Sequence, residues 1–276
     1  MELQKLNEYP FKSQATKKSY LQQYKKLRGM LDADISDTSQ RKILEAVKEV
    51  DNINSQQALI NIAILMRRMY EFSVDKLEKK REYNKDLINS HRKEKNTELQ
   101  DKLPDYEELK LHMNDLYEDK KWTDYIINYL LINYYVRNKD LLFEIVELKR
   151  QMTDKTKNYM WLYKRKKQVV YRRNDYKTAN TYGRKEVVIT DPDFYTAVLR
   201  VFNCQKLNLN CGEFIPNESQ LGYYIKQATY KHLGETVYMK IMVKHYKNDL
   251  QKLKEISQSR GTSLDTIIES YDVSNQ

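Results

Sequence analysis

Glycine scarcity is the feature that most constrains this chain. Only 6 of its 276 residues are Gly, while 23 are Tyr. Folds that cradle a phosphate in a glycine-rich loop need glycine where backbone approaches ligand, and neither G-x-G-x-x-G nor G-x-x-x-x-G-K-[ST] occurs. Dinucleotide-binding and P-loop folds are therefore excluded as readings. With 40% hydrophobic residues, the chain can bury a sizeable core in one or two domains.

Charge points to a partner. The 49 Lys and Arg exceed the 39 Asp and Glu, a net charge of +10. Residues 151–190 hold eleven of these cations against three carboxylates. Such a block is commonly a solvated face, but when its residues also form strands they present charge together, which suits a polyanion. Met1 to Pro10 lacks the basic start and apolar stretch of a signal peptide, and the apolar run Ile126–Val136 is too short to span a bilayer. Cys204 and Cys211 are too few for a disulfide framework and share no ligand spacing with His91, His112, His232 or His245. The expectation is a soluble intracellular protein with reduced thiols, no metal, no small-molecule cofactor and no membrane contact. The cytoplasm or nucleus of a host cell, or a virion, would hold it.

The first third carries helical periodicity: Tyr20, Tyr24, Leu27 and Met30; then Ile43, Leu44, Val47 and Val50; then Leu59, Ile62, Leu65, Met66 and Met69; then roughly Val74 to Ile88. The polar stretch from Arg92 to Pro104 reads as a break, with a linker at 97–104 between a helical domain at 1–96 and a second domain at 105–276. That domain opens with helices at Asp105–Tyr117 and Thr123–Tyr135. Strands are expected at Tyr159–Tyr163, Gln168–Arg173 and Lys185–Thr190, forming a small antiparallel sheet. Helices return at Phe194–Val201, Tyr224–Leu233, Thr236–Ile256 and Ser263–Tyr271. The fold class is mainly α with a small β-sheet.

Four places could carry chemistry. Arg137 and Asp140 lie three residues apart, so the carboxylate can orient the guanidinium. Lys177 sits between two strands, where it can serve as a mobile charge or proton donor. The third place is Thr236 to Val243, with Lys240, and the fourth runs from Arg260 through Gly261-Thr262-Ser263 to Tyr271. Read singly, they are an ordinary surface ion pair, a solvated lysine and filler tyrosine.

Together, in this order, they resemble the tyrosine recombinases, or phage integrase family. Tyr135-Val136-Arg137-Asn138-Lys139-Asp140-Leu141 resembles that family's first-arginine box, with Asp140 for the usual Glu. Asn174 to Ile189 resembles its lysine-bearing hairpin, in the form found in large DNA viruses and virus-like mobile elements. Gly261-Thr262-Ser263 resembles its Gly-His-Ser, with Tyr271 nine residues after Thr262. Residues 11–90 look like its helical core-binding domain.

The resemblance implies a DNA-binding enzyme that cuts and rejoins strands through a covalent 3′-phosphotyrosyl intermediate, without metal. Tyr271 would be the nucleophile, Arg137 and Lys240 would grip the phosphate, Lys177 would protonate the leaving oxygen, and Asp140 and Thr262 would support the site. Arg67, Arg68, Arg172, Arg173 and Lys185 would contact duplex DNA, on which the protein would assemble as a homotetramer. Val237 and Lys240 replace the family's His-x-x-Arg, and Thr262 replaces its His. These departures leave open an alternative, a catalytically impaired recombinase-fold protein acting in DNA binding or in the virion.

Overall fold

The computed structural model describes residues 1–100, 102–207 and 220–271. Two compact units form, Met1–Lys95 and Asn96–Gln276.

The first unit contains α1 (Glu2–Glu8), α2 (Gln14–Leu31), α3 (Gln40–Lys48), α4 (Ile53–Met69) and most of α5 (Asp75–Gln100). Side chains of Ser13, Ser39 and Asn52 accept the backbone N–H three residues on, capping α2, α3 and α4. Their apolar stripes meet in a core that includes Tyr24, Leu27, Ile43, Val47, Leu59, Ile62 and Met66. Glu2 is buried beside that core, where its carboxylate accepts the N–H groups of Ile35 and Ser36 and the hydroxyl of Tyr24.

The expected linker is helical as far as Gln100. Lys, Glu, Gln and Leu are good helix formers, and α5 continues through the polar stretch to Gln100, with Asn96 buried. Polarity there marks a solvated helix face rather than a break.

The second unit begins with α6 (Tyr106–Glu118), whose Glu108 carboxylate accepts the Asp105 N–H at 2.8 Å, and α7 (Trp122–Tyr134), which is buried from Tyr125 to Ile132. Asn128 inside α7 is satisfied: its amide donates to the carbonyls of Asp124 and Ala228, and its oxygen accepts the Tyr238 hydroxyl at 2.6 Å. Strands β1 (Phe143–Val146), β2 (Asn158–Tyr163) and β3 (Gln168–Arg173) precede the short α8 (Ala179–Tyr182) and β4 (Lys185–Ile189). The helices α9 (Pro192–Leu207), α10 (Leu221–Ala228), α11 (Gly234–His245), α12 (Leu250–Arg260) and α13 (Leu264–Tyr271) complete the described chain.

Sheet order is β1-β2-β3-β4. The three expected strands pair antiparallel, but β1 adds a parallel edge beside β2, so the sheet is mixed. One face, with Phe143, Ile145, Met160, Leu162, Val169 and Tyr171, joins the helical core.

Two expected helices divide. The Thr236–Ile256 stretch breaks before Asp249, whose side chain accepts the Lys252 N–H and caps a new helix. The Tyr224–Leu233 stretch stops at Ala228, beyond which Lys231 and His232 adopt φ of 49° and 56°. Among the described residues, no helix is long and apolar enough to cross a membrane.

Candidate active site

The site forms where the end of α7, the hairpin of β3 and β4, and the ends of α12 and α13 meet within the second unit. Tyr135 leaves α7 in the left-handed conformation, φ 53°, and the chain turns through Val136 into a 3-10 turn, Asn138–Leu141. Arg137 enters that turn. Its backbone N–H donates to Asp140 Oδ2 at 3.1 Å, so Asp140 orients the Arg137 backbone, whereas the spacing suggests a contact with the guanidinium. The guanidinium points elsewhere, with a buried Nη1 that has no hydrogen-bond partner. Burial first, and then the neighbouring Arg260 charge, lower its proton affinity.

Arg260, to which the spacing gives no role, stands at the centre of this cluster. It is the last residue of α12 and 2% exposed. Its Nη1 donates to the carbonyls of Tyr135 and Val136 at 3.2 and 3.4 Å, satisfying the free end of α7. Its Nη2 donates to Glu235 of α11 at 2.5 Å and to the Tyr271 hydroxyl at 3.0 Å. The guanidinium carbon lies 5.2 Å from the Tyr271 ring centroid, and Nε has no partner. Tyr271, half-buried at the end of α13, therefore presents its hydroxyl to a guanidinium.

The hairpin adds two cations. In β3, Val169, Tyr171 and Arg173 share the core face, and Arg173 pairs in register with Lys185 of β4. Arg173 is buried; it donates to Asp140 Oδ2 at 3.1 Å and to Ser259. Lys185 Nζ donates to the carbonyls of Gln258 and Ser259 at the end of α12, a favourable place for a cation. Its ammonium is pushed down to about 8 by burial and then by the Arg173 charge. Asn158 ties the hairpin to the 3-10 turn: its amide donates to the carbonyls of Leu142 and Asp175, and its oxygen accepts the N–H groups of Asn174 and Asp175.

Four cations, Arg137, Arg173, Lys185 and Arg260, thus gather around the carboxylates Asp140 and Glu235 and the hydroxyl of Tyr271. Of the residues expected to carry or support catalysis, Arg137, Asp140 and Tyr271 converge, joined by the expected DNA contacts Arg173 and Lys185. Lys177 stands exposed on the turn after β3. Thr262 follows the α12 terminus and donates its N–H to Ser257. Lys240 turns to another side of α11, where its Nζ donates to Asn96 Oδ1 at 2.7 Å, and Val237 packs on the core.

The expected DNA contacts fare unevenly. Arg67 is buried in the first unit, donating to the carbonyls of Ser36, Thr38 and Ser73, because its α4 position falls in line with buried Ile60 and Ala63. Arg68 is exposed and paired with Glu78 at 2.5 Å. Arg172 points to the opposite sheet face from Arg173 and pairs with Glu186 at 2.7 Å. Arg67 and Arg173 are thus structural, each held by buried acceptors. Cys204 is exposed and Cys211 lies outside the described residues. Compared with known proteins, the chain matches no family model, no curated protein and no solved structure.

Proposed function

We propose that this protein cuts and rejoins duplex DNA through a covalent bond between Tyr271 and a 3′-phosphate. The observation that carries the reading is the Tyr271 hydroxyl held 3.0 Å from Arg260, beside an Arg137 whose Nη1 has no partner. A buried guanidinium nitrogen without an acceptor is costly, and a phosphoryl oxygen would satisfy it. In attack, the Tyr271 oxygen bonds to phosphorus while the bond to the 5′-oxygen breaks. Arg137 and Arg260 stabilise charge on the non-bridging oxygens, and preorganised donors of this kind dominate such catalysis. Lys185, with its ammonium near 8, can give the leaving oxygen a proton near neutral pH, and Lys177 on the exposed turn is the other donor. Glu235 faces Arg260 and lies near Arg137, where a carboxylate can accept the tyrosyl proton. As in the recombinases it resembles, the protein would act as a multimer on DNA.

A nicked duplex that loses its leaving strand traps the intermediate. Wild-type protein should become attached to it without added metal, and Tyr271→Phe should abolish the adduct while leaving duplex affinity nearly intact. Duplex binding should weaken steeply between roughly 50 and 200 mM salt, as displaced counterions require.

A second reading has one observation in its favour. Glu235 already occupies Arg260 Nη2, so the tyrosine site has a carboxylate where a phosphate would sit. On that reading the protein binds DNA and forms no adduct. Tight duplex binding by a wild type that never attaches to the nicked substrate would select it.

A further inference from the structure

The sheet face turned away from the core carries a second arrangement that the tyrosine site does not use. Side chains alternate along β2, so Met160 and Leu162 enter the core while Tyr159, Trp161 and Tyr163 take the other face. The register lines up Val146, Trp161, Val170 and Val188 across all four strands. One end of this apolar row is covered by Met152, but Val188 is 51% exposed at the other, and Leu148, two residues past β1 beside Trp161, is 46% exposed. The rings of Trp161 and Tyr163 stack at 4.6 Å between centroids and 16° between planes, and the Trp161 indole N–H is fixed on the Glu147 carbonyl at 3.0 Å.

Cations frame this stack. Lys149 Nζ lies 5.9 Å from the Trp161 ring and Lys166 Nζ lies 5.6 Å from the Tyr163 ring. The turn joining β2 to β3 is Lys164-Arg165-Lys166-Lys167, four cations in succession. Lys164 pairs with Glu147, whereas Lys149, Arg165, Lys166 and Lys167 have no carboxylate partner among the described residues. Beside the stack opens a hollow of about 370 Å³, whose lining includes Leu148, Lys149, Trp161, Tyr163, Arg165 and the Glu147–Lys164 pair.

We infer that this face binds an unpaired DNA strand, with a base continuing the Trp161–Tyr163 stack over the hollow and the flanking phosphates on Lys149, Arg165 and Lys166. Flat rings flanked at both ends by cations without a carboxylate partner among the described residues match a chain that alternates π-faces with phosphates. A duplex keeps its base faces inside and fits only the charge. An apolar peptide fits the rings but leaves the cations unmatched. The choice of DNA over RNA rests on the reading of the tyrosine site; the stacking surface itself does not.

The test uses the full chain carrying Trp122→Phe, so that Trp161 is the only tryptophan. An oligodeoxythymidylate of about 15 nucleotides, near the upper end of single-strand site sizes, should quench its fluorescence. Trp161→Ala and Tyr163→Ala, each in the otherwise wild-type chain, should each weaken binding of a labelled strand about tenfold or more. Both should leave duplex affinity unchanged. Lys166→Glu, on an exposed turn, should weaken strand binding and flatten its salt dependence without touching the fold. Tyr271→Phe should bind the strand like wild type, which separates this surface from the tyrosine site. Absence of quenching, strand affinity indifferent to Trp161 and Tyr163, or quenching by oligouridylate but not by oligodeoxythymidylate would each overturn the inference. So would self-association that depends on Trp161 with no strand binding.

Discussion

Arg260 Nη2 donates to the Tyr271 hydroxyl at 3.0 Å, joining the last residue of α12 to the last residue of α13 across the turn that holds Gly261. The same guanidinium closes the end of α7 through Tyr135 and Val136. One side chain therefore fixes the relative position of the tyrosine and of the segment that carries Arg137. Packing and candidate chemistry meet in it.

Arg260 and Lys240 are consequently separable by experiment. Arg260→Lys keeps the charge and loses the planar fork, so adduct formation on a nicked duplex should slow by about 10² to 10³. Lys240→Arg should leave the rate unchanged, since Lys240 Nζ is engaged by Asn96 on another side of α11. Acceleration by Lys240→Arg would return the second phosphate grip to that position. Arg260→Ala is the less informative change, because it strands Glu235, and its folding should be restored by adding Glu235→Gln.

Two adjacent arginines should behave oppositely. Arg173→Ala removes the partner of Asp140, and breaking a buried pair commonly costs about 3 to 5 kcal/mol, so the urea midpoint should fall sharply. Arg172→Ala breaks a pair on the other sheet face and should cost about 1 kcal/mol or less, so the midpoint should move little. Equal effects on stability would contradict the facing assigned to β3.

Gly261 supplies a third test. Its φ is +58°, and a Cβ there would lie 2.3 Å from Thr178 Oγ1 and 3.4 Å from Lys185 Nζ. Gly261→Ala combines left-handed strain of about 1 kcal/mol with a clash, so its destabilisation should exceed that figure. Thr178 Oγ1 has no hydrogen-bond partner, so Thr178→Ala alone should be nearly neutral and should recover part of the loss in the double variant.

Much of this was legible in the chain. The three antiparallel strands follow from runs such as Gln168–Arg173, and the helices of the first unit from their capped apolar stripes. β1 escaped because four residues, Phe143–Val146, give too short a pattern, and its parallel pairing with β2 depends on tertiary structure. Arg67 and Arg173 are expected as DNA contacts, although periodicity places the first in line with Ile60 and Ala63 and the second with Val169 and Tyr171. Arg260 adjoins Gly261 in the segment that ends at Tyr271, but the resemblance assigns the second cation to position 240. No local pattern shows that the end of α12 packs against the end of α7.

Lys185 offers a pH signature. Burial and Arg173 bring its ammonium down to about 8, well below an ordinary lysine. Below that value Nζ is charged and attracts phosphate; above it the charge is lost while the surrounding arginines keep theirs. Duplex affinity at fixed salt should therefore fall as pH rises from 7 to about 9, and Lys185→Arg should flatten the profile because a guanidinium stays protonated there. Unfolding moves the other way. The unfolded chain binds a proton that the folded chain has released between about 8 and the ordinary lysine value, so this group adds stability as pH rises through that window. Lys185→Met should remove both trends. An affinity profile in Lys185→Arg that still falls through 8 would assign the titration to a different group.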